Sequence, residues 1–415
     1  MNKDSRNGTF AQLDLGERLL TVLNQAEIVT PTPVQAAAIP VALQGGDLVA
    51  IAQTGTGKTL AFLLPIAQRF YDETAARALI LAPTRELALQ IAEVAQKTVC
   101  RTGLKIAVLI GGAAMSRQVA DLKRNPALII ATPGRLIDHL ASRTVRLDKT
   151  DIVVLDEADR MLDMGFLPAI EKIFAAVPRQ RQTMLFSATM PAEIEGLAKR
   201  FLSDYERVEI NRSGTTAEGV TQQFVHTSQA EKSAHLDRYL SEHKGSVLVF
   251  ARTRHGARKV AKSIRAMGHA AAEIHSDRTQ AQRKAALDGF KSGEYRVLVA
   301  TDIASRGIDV KNISLVINYD LPDNAEDYVH RIGRTGRAGE TGLAISLATP
   351  EQSKSLRQIE RLLGKQIARV NDSPAREADP TEGMRPRPPH RRNRRPYHGP
   401  ARPSVGSNRS RQAAR

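Results

Sequence analysis

Sulfur and aromatic rings are scarce in this chain: its 415 residues include one cysteine, no tryptophan, ten phenylalanines and seven tyrosines. A single thiol, Cys100, excludes an internal disulfide and a cysteine-rich metal site, and its expected place is that of a small core residue. No stretch approaches the roughly eighteen consecutive apolar residues of a membrane span. The N-terminus lacks the charged-then-apolar order of a signal peptide. A cytoplasmic protein with no membrane partner is therefore expected. So few rings also leave no evident base-stacking surface. Negative charge is in deficit too, with 44 Asp and Glu against 60 Lys and Arg and a formal net charge of +16. Such an excess points to a polyanionic partner, because neutralising phosphates releases counterions.

The excess is unevenly placed. From Arg385 to Arg415 there are ten arginines and no acidic residue, so the body of the chain is only mildly basic. Proline, arginine, glycine and serine dominate from about Asn371, and a core cannot be built from that composition. Residues 371–415 are expected to be a disordered Arg/Pro-rich tail that anchors nucleic acid nonspecifically. The rest, 42% apolar over the whole chain, suits two domains of about 150 to 200 residues rather than one.

The most informative stretch is Ala52-Gln-Thr-Gly-Thr-Gly-Lys-Thr59, which follows the apolar run Leu48 to Ile51 and precedes a helix-like segment. A strand feeding a glycine-rich turn into a helix start aims several backbone N–H groups at one spot, where the helix dipole also favours negative charge. Gly55 and Gly57 permit the turn, Lys58 reaches the terminal phosphates, and the Thr59 hydroxyl can ligate Mg²⁺. The generic phosphate-loop pattern is met except at its first position, where Ala52 stands for glycine.

Taken in order, Phe10, Leu13, Leu15, Leu19, Leu20 and Leu23 give an amphipathic helix pattern ending near Asn24. Thr30-Pro-Thr-Pro-Val-Gln35 follows, a rigid segment that starts a helix over Val34 to Ile39 and carries, in Gln35, an amide able to read an adenine edge. Apolar runs then recur at Ala78–Ala82, Ile106–Ile110, Leu128–Ala131, Ile152–Leu155 and Thr183–Phe186, separated by helix-length amphipathic segments. That is βα alternation with buried parallel strands. Each run ends in a polar cluster, and in open parallel sheets ligands bind at those carboxyl ends. Polar and glycine residues over Asn211–Gly219 mark a linker. A second alternation follows through Val220–Val225, Ser246–Phe250, Ala270–Ile274, Arg296–Ala300, Leu315–Asn318 and Leu343–Leu347, without a phosphate cradle of its own.

The strand Ile152–Leu155 runs into Asp156-Glu157, where a phosphate-loop enzyme holds Mg²⁺ through a carboxylate and activates water with a neighbour. His330 to Arg337 places Arg334 and Arg337 three apart, expected on one face of a helix as arginine-finger candidates from the other domain.

With those residues in place the chain resembles the DEAD-box RNA helicases, whose name Asp156-Glu157-Ala158-Asp159 spells in one-letter code. The resemblance covers about residues 10 to 350 in order and spacing. It is most similar to the bacterial RhlE branch, on Phe250 to Ala257 and the lack of a folded C-terminal specificity domain. The resemblance implies an α/β chain of two tandem RecA-like domains with parallel sheets, at 1–210 and 220–370, gripping ATP between them and RNA across both, followed by the disordered basic C-terminal tail. By motif, Phe10 and Gln35 would read adenine, and Thr54, Gly55, Thr56, Gly57, Lys58 and Thr59 would hold the phosphates. Asp156, with Thr59, would hold Mg²⁺, and Glu157 would activate water. Ser187 and Thr189 would couple the domains by bridging Asp159 to His330, while Asp309 would meet the ribose and Arg334 and Arg337 the γ-phosphate. RNA would lie over Pro83, Thr84, Arg85, Gly112, Thr132, Pro133 and Arg135, and over Arg252, Thr253, Arg283, Thr301 and Gly307. Such groups suit backbone phosphates and 2′-hydroxyls of single- or double-stranded RNA, giving little sequence specificity. Without stacking channels, local duplex opening by domain closure is expected over translocation. Ribosome-assembly or RNA-degradation factors are candidate protein partners.

The sequence departs from the family pattern at Ile28, where most relatives have an aromatic residue on adenine, and at Ser276 and Ser305, which replace a glycine and an alanine. Other classes remain open: an ATP-gated RNA clamp or scaffold uses the same motifs, and a DNA helicase or other phosphate-loop ATPase fits the motif set less well.

Overall fold

Four-residue strands with no polar side chain, such as Leu48–Ile51 and Ile152–Leu155, are stable only when both sheet faces are covered. The protein is described by a computed structural model, which covers residues 8–53, 55–73, 77–210, 219–302, 313–336 and 341–370. The expected tail, most of the linker, Thr54, Gly307, Asp309 and Arg337 lie outside the described residues.

The first sheet is built from β1 (Leu48–Ile51), β2 (Ala78–Leu81), β3 (Ile106–Leu109), β4 (Leu128–Ala131), β5 (Ile152–Leu155), β6 (Gln182–Ser187) and β7 (Glu206–Glu209). The second is built from β8 (Val220–His226), β9 (Val247–Phe250), β10 (Ala271–Ile274), β11 (Val297–Ala300), β12 (Leu315–Asn318), β13 (Gly342–Ala348) and β14 (Ala368–Val370). Their orders are β3-β4-β2-β5-β6-β1-β7 and β10-β11-β9-β12-β13-β8-β14, and every pairing is parallel. Adding seven to each strand number of the first gives the second, so one doubly wound topology is used twice. These are the two RecA-like domains, and both sheets belong to one compact unit.

Helices cover both faces of each sheet, leaving two apolar layers per domain. In the first domain one layer centres on Ala50, Phe62, Ile80 and Phe186, the other on Val49, Leu79, Val153 and Leu185. Alternate residues of one strand feed opposite layers, as the period of two requires.

The amphipathic N-terminal segment is not one helix. Phe10–Gln12 forms a short 3-10 turn, and the α-helix begins only at Glu17, with Gly16 as its N-cap. Phe10, Leu13 and Leu15 are nevertheless buried, because an irregular segment can deliver side chains to a core as a helix can. The short edge strand β14 is too polar and brief to stand out in sequence. The edge strand β7 is not buried as the other strands are, since Glu206, Arg207 and Glu209 are exposed.

Phe186 is fully buried and meets Phe62 edge to face with ring centroids 5.2 Å apart. Phe186→Ala should lower the stability of the first domain by about 3 to 5 kcal/mol, as large-to-small core changes do. Urea denaturation checks this, and an unmoved midpoint would contradict the packing described.

Candidate functional site

Polar loops follow the carboxyl ends of β1, β2, β4, β5 and β6, and the first of these is the phosphate cradle. Gly55 and Gly57 have φ of 86° and 93°, a left-handed conformation that an L side chain adopts only under strain. Gly57 is also the N-cap of the helix Lys58–Tyr71, and a Cβ there would lie 2.5 Å from Nε2 of Gln35. Gln35 braces the cradle from outside: its Nε2 donates to the Gly57 carbonyl at 2.9 Å and its Oε1 accepts from the Thr32 amide at 2.9 Å. Pro33 begins the helix Pro33–Leu43, so the prolines aim this amide. Within the loop the Thr56 hydroxyl donates to the Gln53 carbonyl at 2.7 Å, and Lys58 Nζ to the Ala52 carbonyl at 2.9 Å. Phe10 lies in the core at 3% exposure, whereas Ile28 is only partly buried against it.

Across from the cradle, β5 ends at Asp156 and Glu157. Asp156 is buried, and burial pushes its carboxyl up to about 7, with Lys58 opposing and Glu157 adding to the shift. Its Oδ1 accepts from the Glu157 amide at 3.0 Å. Glu157 has φ 52°, uncommon for a non-glycine residue, and caps the helix Ala158–Asp163. Its Oε2 is buried with no hydrogen-bond partner, the nearest cation being Arg160 Nε at 3.8 Å. A buried carboxylate kept from ionising, an orphaned carboxylate oxygen and the partly buried hydroxyl of Thr59 form a hard oxygen set that fits Mg²⁺. Among the described residues no group of three or more His, Cys, Asp or Glu side chains could hold a metal alone, which suits an ion that keeps waters and phosphate oxygens as ligands.

Asp159 is buried in the first turn of the helix Ala158–Asp163. One oxygen accepts from the amides of Ala188 and Thr189 at 2.9 and 3.1 Å and from the Thr189 hydroxyl at 3.3 Å; the other accepts from the Arg160 amide at 2.9 Å. Burial alone would raise this carboxyl, yet the fields of His330 and Lys58 and the Arg160 amide hold it below the usual range. Burial drives His330 down to about 4 against the pull of Asp159. At neutral pH an ionised carboxylate thus stands near a neutral imidazole. Ser187 is fully buried beside them at the end of β6, its carbonyl accepting from the Ala52 amide at 2.9 Å.

His330 is on the helix Ala325–Ile332, but Arg334 is not, because the helix ends before it at the C-cap Gly333. The expectation that Arg334 shares a helix face with Arg337 therefore fails. Arg334 is 5% exposed and donates back to the His330 carbonyl at 3.3 Å. Sequence reasoning passed over its neighbour Arg331, which is buried and pairs with Asp302 through Nε at 2.5 Å and Nη2 at 2.7 Å. The same side chain donates to Asn318 and to the Asp320 carbonyl, tying the ends of β11 and β12 together.

The residues expected under RNA divide into two groups. In the first domain Pro83 and Thr84 precede the helix Arg85–Lys97, with the Thr84 hydroxyl accepting from the Leu87 amide. Arg85 lies against Gly111 and Gly112, so a Cβ on either would meet its guanidinium. Thr132 and Pro133 open the helix Pro133–Ala141, and Arg135 Nη1 donates to the Ala113 carbonyl at 3.0 Å. The same loop is held by a pair that the sequence did not announce: Gln118 Nε2 donates to the Ile110 carbonyl at 3.0 Å, and Gln118 Oε1 lies 3.1 Å from Nε2 of buried His139. In the second domain Arg252 and Thr253 are exposed at the end of β9, and Thr301 is partly buried at the end of β11. Arg283 is placed differently. It is 5% exposed, with Nε 2.7 Å and Nη2 2.6 Å from the two oxygens of Glu86. Its remaining nitrogen faces the His275 carbonyl, so Arg283 is committed to the first domain and not presented to a ligand. Glu86, one residue after Arg85, is the nearer anion.

Asp156 sets a pH signature. A carboxyl at 3.8 when unfolded and about 7 when folded favours the protonated form of the fold. Its contribution is complete below 3.8 and disappears as pH rises through about 7. Asp156→Asn should thus stabilise the ligand-free protein relative to the parent at pH 8 and not at pH 4. A stability difference independent of pH in denaturation experiments would contradict this. Gly57→Ala should weaken nucleotide binding about tenfold or more by straining the cradle, as equilibrium titration would report.

Comparison with known proteins agrees with this geometry. The DEAD/DEAH box helicase family matches residues 32–197, and the helicase conserved C-terminal domain matches 231–339. The chain is 41% identical over 372 residues to the DEAD-box ATP-dependent RNA helicase CshA of Bacillus subtilis, covering 89% of this chain and 75% of that one. It is 40% identical to the ATP-dependent rRNA helicase RRP3 of Yarrowia lipolytica, covering 88% and 76%. Among solved structures it superposes on S. cerevisiae Dbp5 bound to RNA and ADP BeF3 with TM-score 0.79 at 31% identity, covering 88% of this chain and 95% of that one. On Mss116p bound to ssRNA and AMP-PNP the TM-score is 0.81 at 28% identity, covering 90% and 81%. Two RecA-like domains, a phosphate cradle opposite Asp156-Glu157 and relatives of this identity place the chain in the DEAD-box ATP-dependent RNA helicase family.

Proposed function

We propose that this chain opens short RNA duplexes or remodels RNA–protein complexes by closing its two domains on ATP and RNA, and that RNA binding triggers hydrolysis. The observation that carries this reading is the buried ion pair Glu86–Arg283, which joins the two domains beside the proposed RNA surface, while Asp159 on the ATP side feels the charge of His330 from the other domain. RNA placed on the first domain near Arg85 lies one residue from the Glu86 bridge, so occupancy of one surface bears on the other. The match to structures bound to RNA and nucleotide supports a closed arrangement of the same kind.

In this reading Lys58 leaves the Ala52 carbonyl for the terminal phosphates, and the loop amides and Thr59 hold the rest. Asp156 and Thr59 would hold Mg²⁺, which would supply charge neutralisation at the phosphates. Glu157 orients and deprotonates the attacking water through its unpaired Oε2. Gln35 reads adenine while bracing Gly57, and Arg334 meets the developing charge when the domains close. Thr54, Asp309, Gly307 and Arg337 take the family's roles by motif alone. RNA runs over Thr84, Arg85, Gly112, Thr132 and Arg135, then over Arg252, Thr253 and Thr301. The finer readings proposed here are membership of the RhlE branch, a cytoplasmic site of action, and ribosome-assembly or RNA-degradation partners. The run Phe250–Ala257 supports the RhlE branch, and no described helix is long and apolar enough to cross a membrane.

ATP turnover measured with and without RNA tests the proposal: a rate indifferent to RNA would remove the coupling. Glu157→Gln should retain ATP and RNA binding and slow hydrolysis by about 10²- to 10⁴-fold, the range of general-base catalysis. Unchanged turnover in that variant would refute the role of Glu157.

A further inference from the structure

The repeated topology makes the helix Arg254–Ala266, which follows β9, the counterpart of the helix Arg85–Lys97, which follows β2. Both start from a threonine cap: Thr84 accepts from the Leu87 amide at 3.2 Å and Thr253 from the Gly256 amide at 3.0 Å. Both bury one apolar face, through Leu87, Ala88 and Ile91 in one and Ala257, Val260 and Ile264 in the other. Their outer faces differ. The first helix exposes Glu93 and Lys97, which pair with each other at 2.6 Å; the second carries Arg254, Arg258, Lys259, Lys262 and Arg265 with no acidic residue, and all five are exposed.

The fold does not require this charge, since the first domain builds the same helix without it. Arg254 sits at the positive end of the helix dipole, and Arg254, Arg258 and Lys262 repel one another at four-residue spacing. Asp277 approaches Arg254 at 2.7 Å and Arg258 at 3.6 Å, and Glu273 approaches Arg265 at 3.5 Å. Lys259 and Lys262 have no carboxylate within ion-pair distance among the described residues. The helix runs back from Arg252 and Thr253 at the carboxyl edge of β9, so the cations form a continuous track leading away from the proposed RNA path. Thirteen residues span ~20 Å. That is the length of roughly six phosphates along one strand at ~3.4 Å each.

The chemistry of the track selects its ligand. It has no Phe, Tyr or Trp to stack a base. No large hydrophobic side chain is exposed on it, which leaves no anchor for a protein hot spot or for insertion into a lipid surface. Repeated cations at phosphate-scale spacing, continuous with a nucleic-acid site, fit a sugar–phosphate backbone. We propose that the outer face of the helix Arg254–Ala266 is an accessory track that binds the backbone of RNA flanking the segment held in the cleft, extending the footprint without reading sequence. The proposal rests on the RNA path assigned above.

The test uses the full chain with Lys259→Gln and Lys262→Gln together. A control pair, Lys149→Gln and Lys172→Gln, removes the same charge at exposed sites of the first domain, before β5 and on the helix Leu167–Ala176. RNA affinity is measured across a salt series for a short single strand that fills only the cleft and for a long RNA with a duplex arm. For the long RNA the variant should bind about 5- to 20-fold more weakly at low salt, and its slope of log K against log salt should fall by about 1 to 2, near one phosphate contact per lysine. Affinity for the short strand, basal ATP turnover and thermal melting should match the parent. An unchanged slope with long RNA, an equal change in the control pair or an equal loss on the short strand would each overturn the track. Failure of the parent protein to bind either RNA would instead overturn the RNA path beneath it.

Discussion

A lysine at the first position of a helix, facing a carboxylate from a strand two places along the sheet, is the interaction on which both domains turn. In the second domain Lys232 opens the helix after β8 and reaches Asp320 after β12 at 2.9 Å and the Tyr319 carbonyl at 2.6 Å. The buried ion pair is complete, so that junction is a strut. In the first domain Lys58 opens the helix after β1 and Asp156 follows β5, the same topological positions, but Lys58 bonds to its own loop. The difference lies in the connection. Thr227 to Glu231 contains no glycine, whereas Gly55 and Gly57 take positive φ and lift the loop into a cradle. Asp156 is left buried, and that burial is why it resists ionising, although the Lys58 charge opposes the shift. The first domain stores the capacity for a ligand that the second has filled with its own side chains.

The same reasoning explains the domain contact. Glu86 is a buried carboxylate paired with Arg283 of the other domain, and Asp159 is a buried carboxylate within the field of His330. Separating the domains returns Arg283 and Glu86 to water, and a buried pair gains little over its hydrated parts. Such a contact is suited to forming and breaking under the control of ligands, unlike an apolar interface. Arg331 and Asp302 stand behind it as a rigid base, holding the ends of β11 and β12 so that His330 and Arg334 arrive in register.

Much of this was legible in the sequence. The strand runs stood out because buried parallel strands leave no room for polar residues, and the clusters at their ends marked the functional edge. Gly55 and Gly57 could be assigned from turn geometry alone. What sequence missed has a common cause: partners far apart in the chain. Glu86 and Arg283 are 197 residues apart, and no local pattern distinguishes an arginine that meets a carboxylate from one that meets a phosphate. Arg331 was hidden by the more conspicuous Arg334 and Arg337, and His139 looked like any helical histidine until Gln118 came beside it. Arg334 was misplaced because helix periodicity was extended past Gly333, where the helix stops.

If ligands at the two surfaces communicate through this contact, their affinities must be linked, and linkage is reciprocal. The most direct measurement is the affinity for a single-stranded RNA with and without a non-hydrolysable ATP analogue, matched by the affinity for the analogue with and without RNA. The account predicts that each ligand tightens the other by the same factor, on the order of tenfold or more, and that Glu86→Gln reduces that factor while each ligand still binds alone. Equal RNA affinity in the presence and absence of the analogue would contradict it.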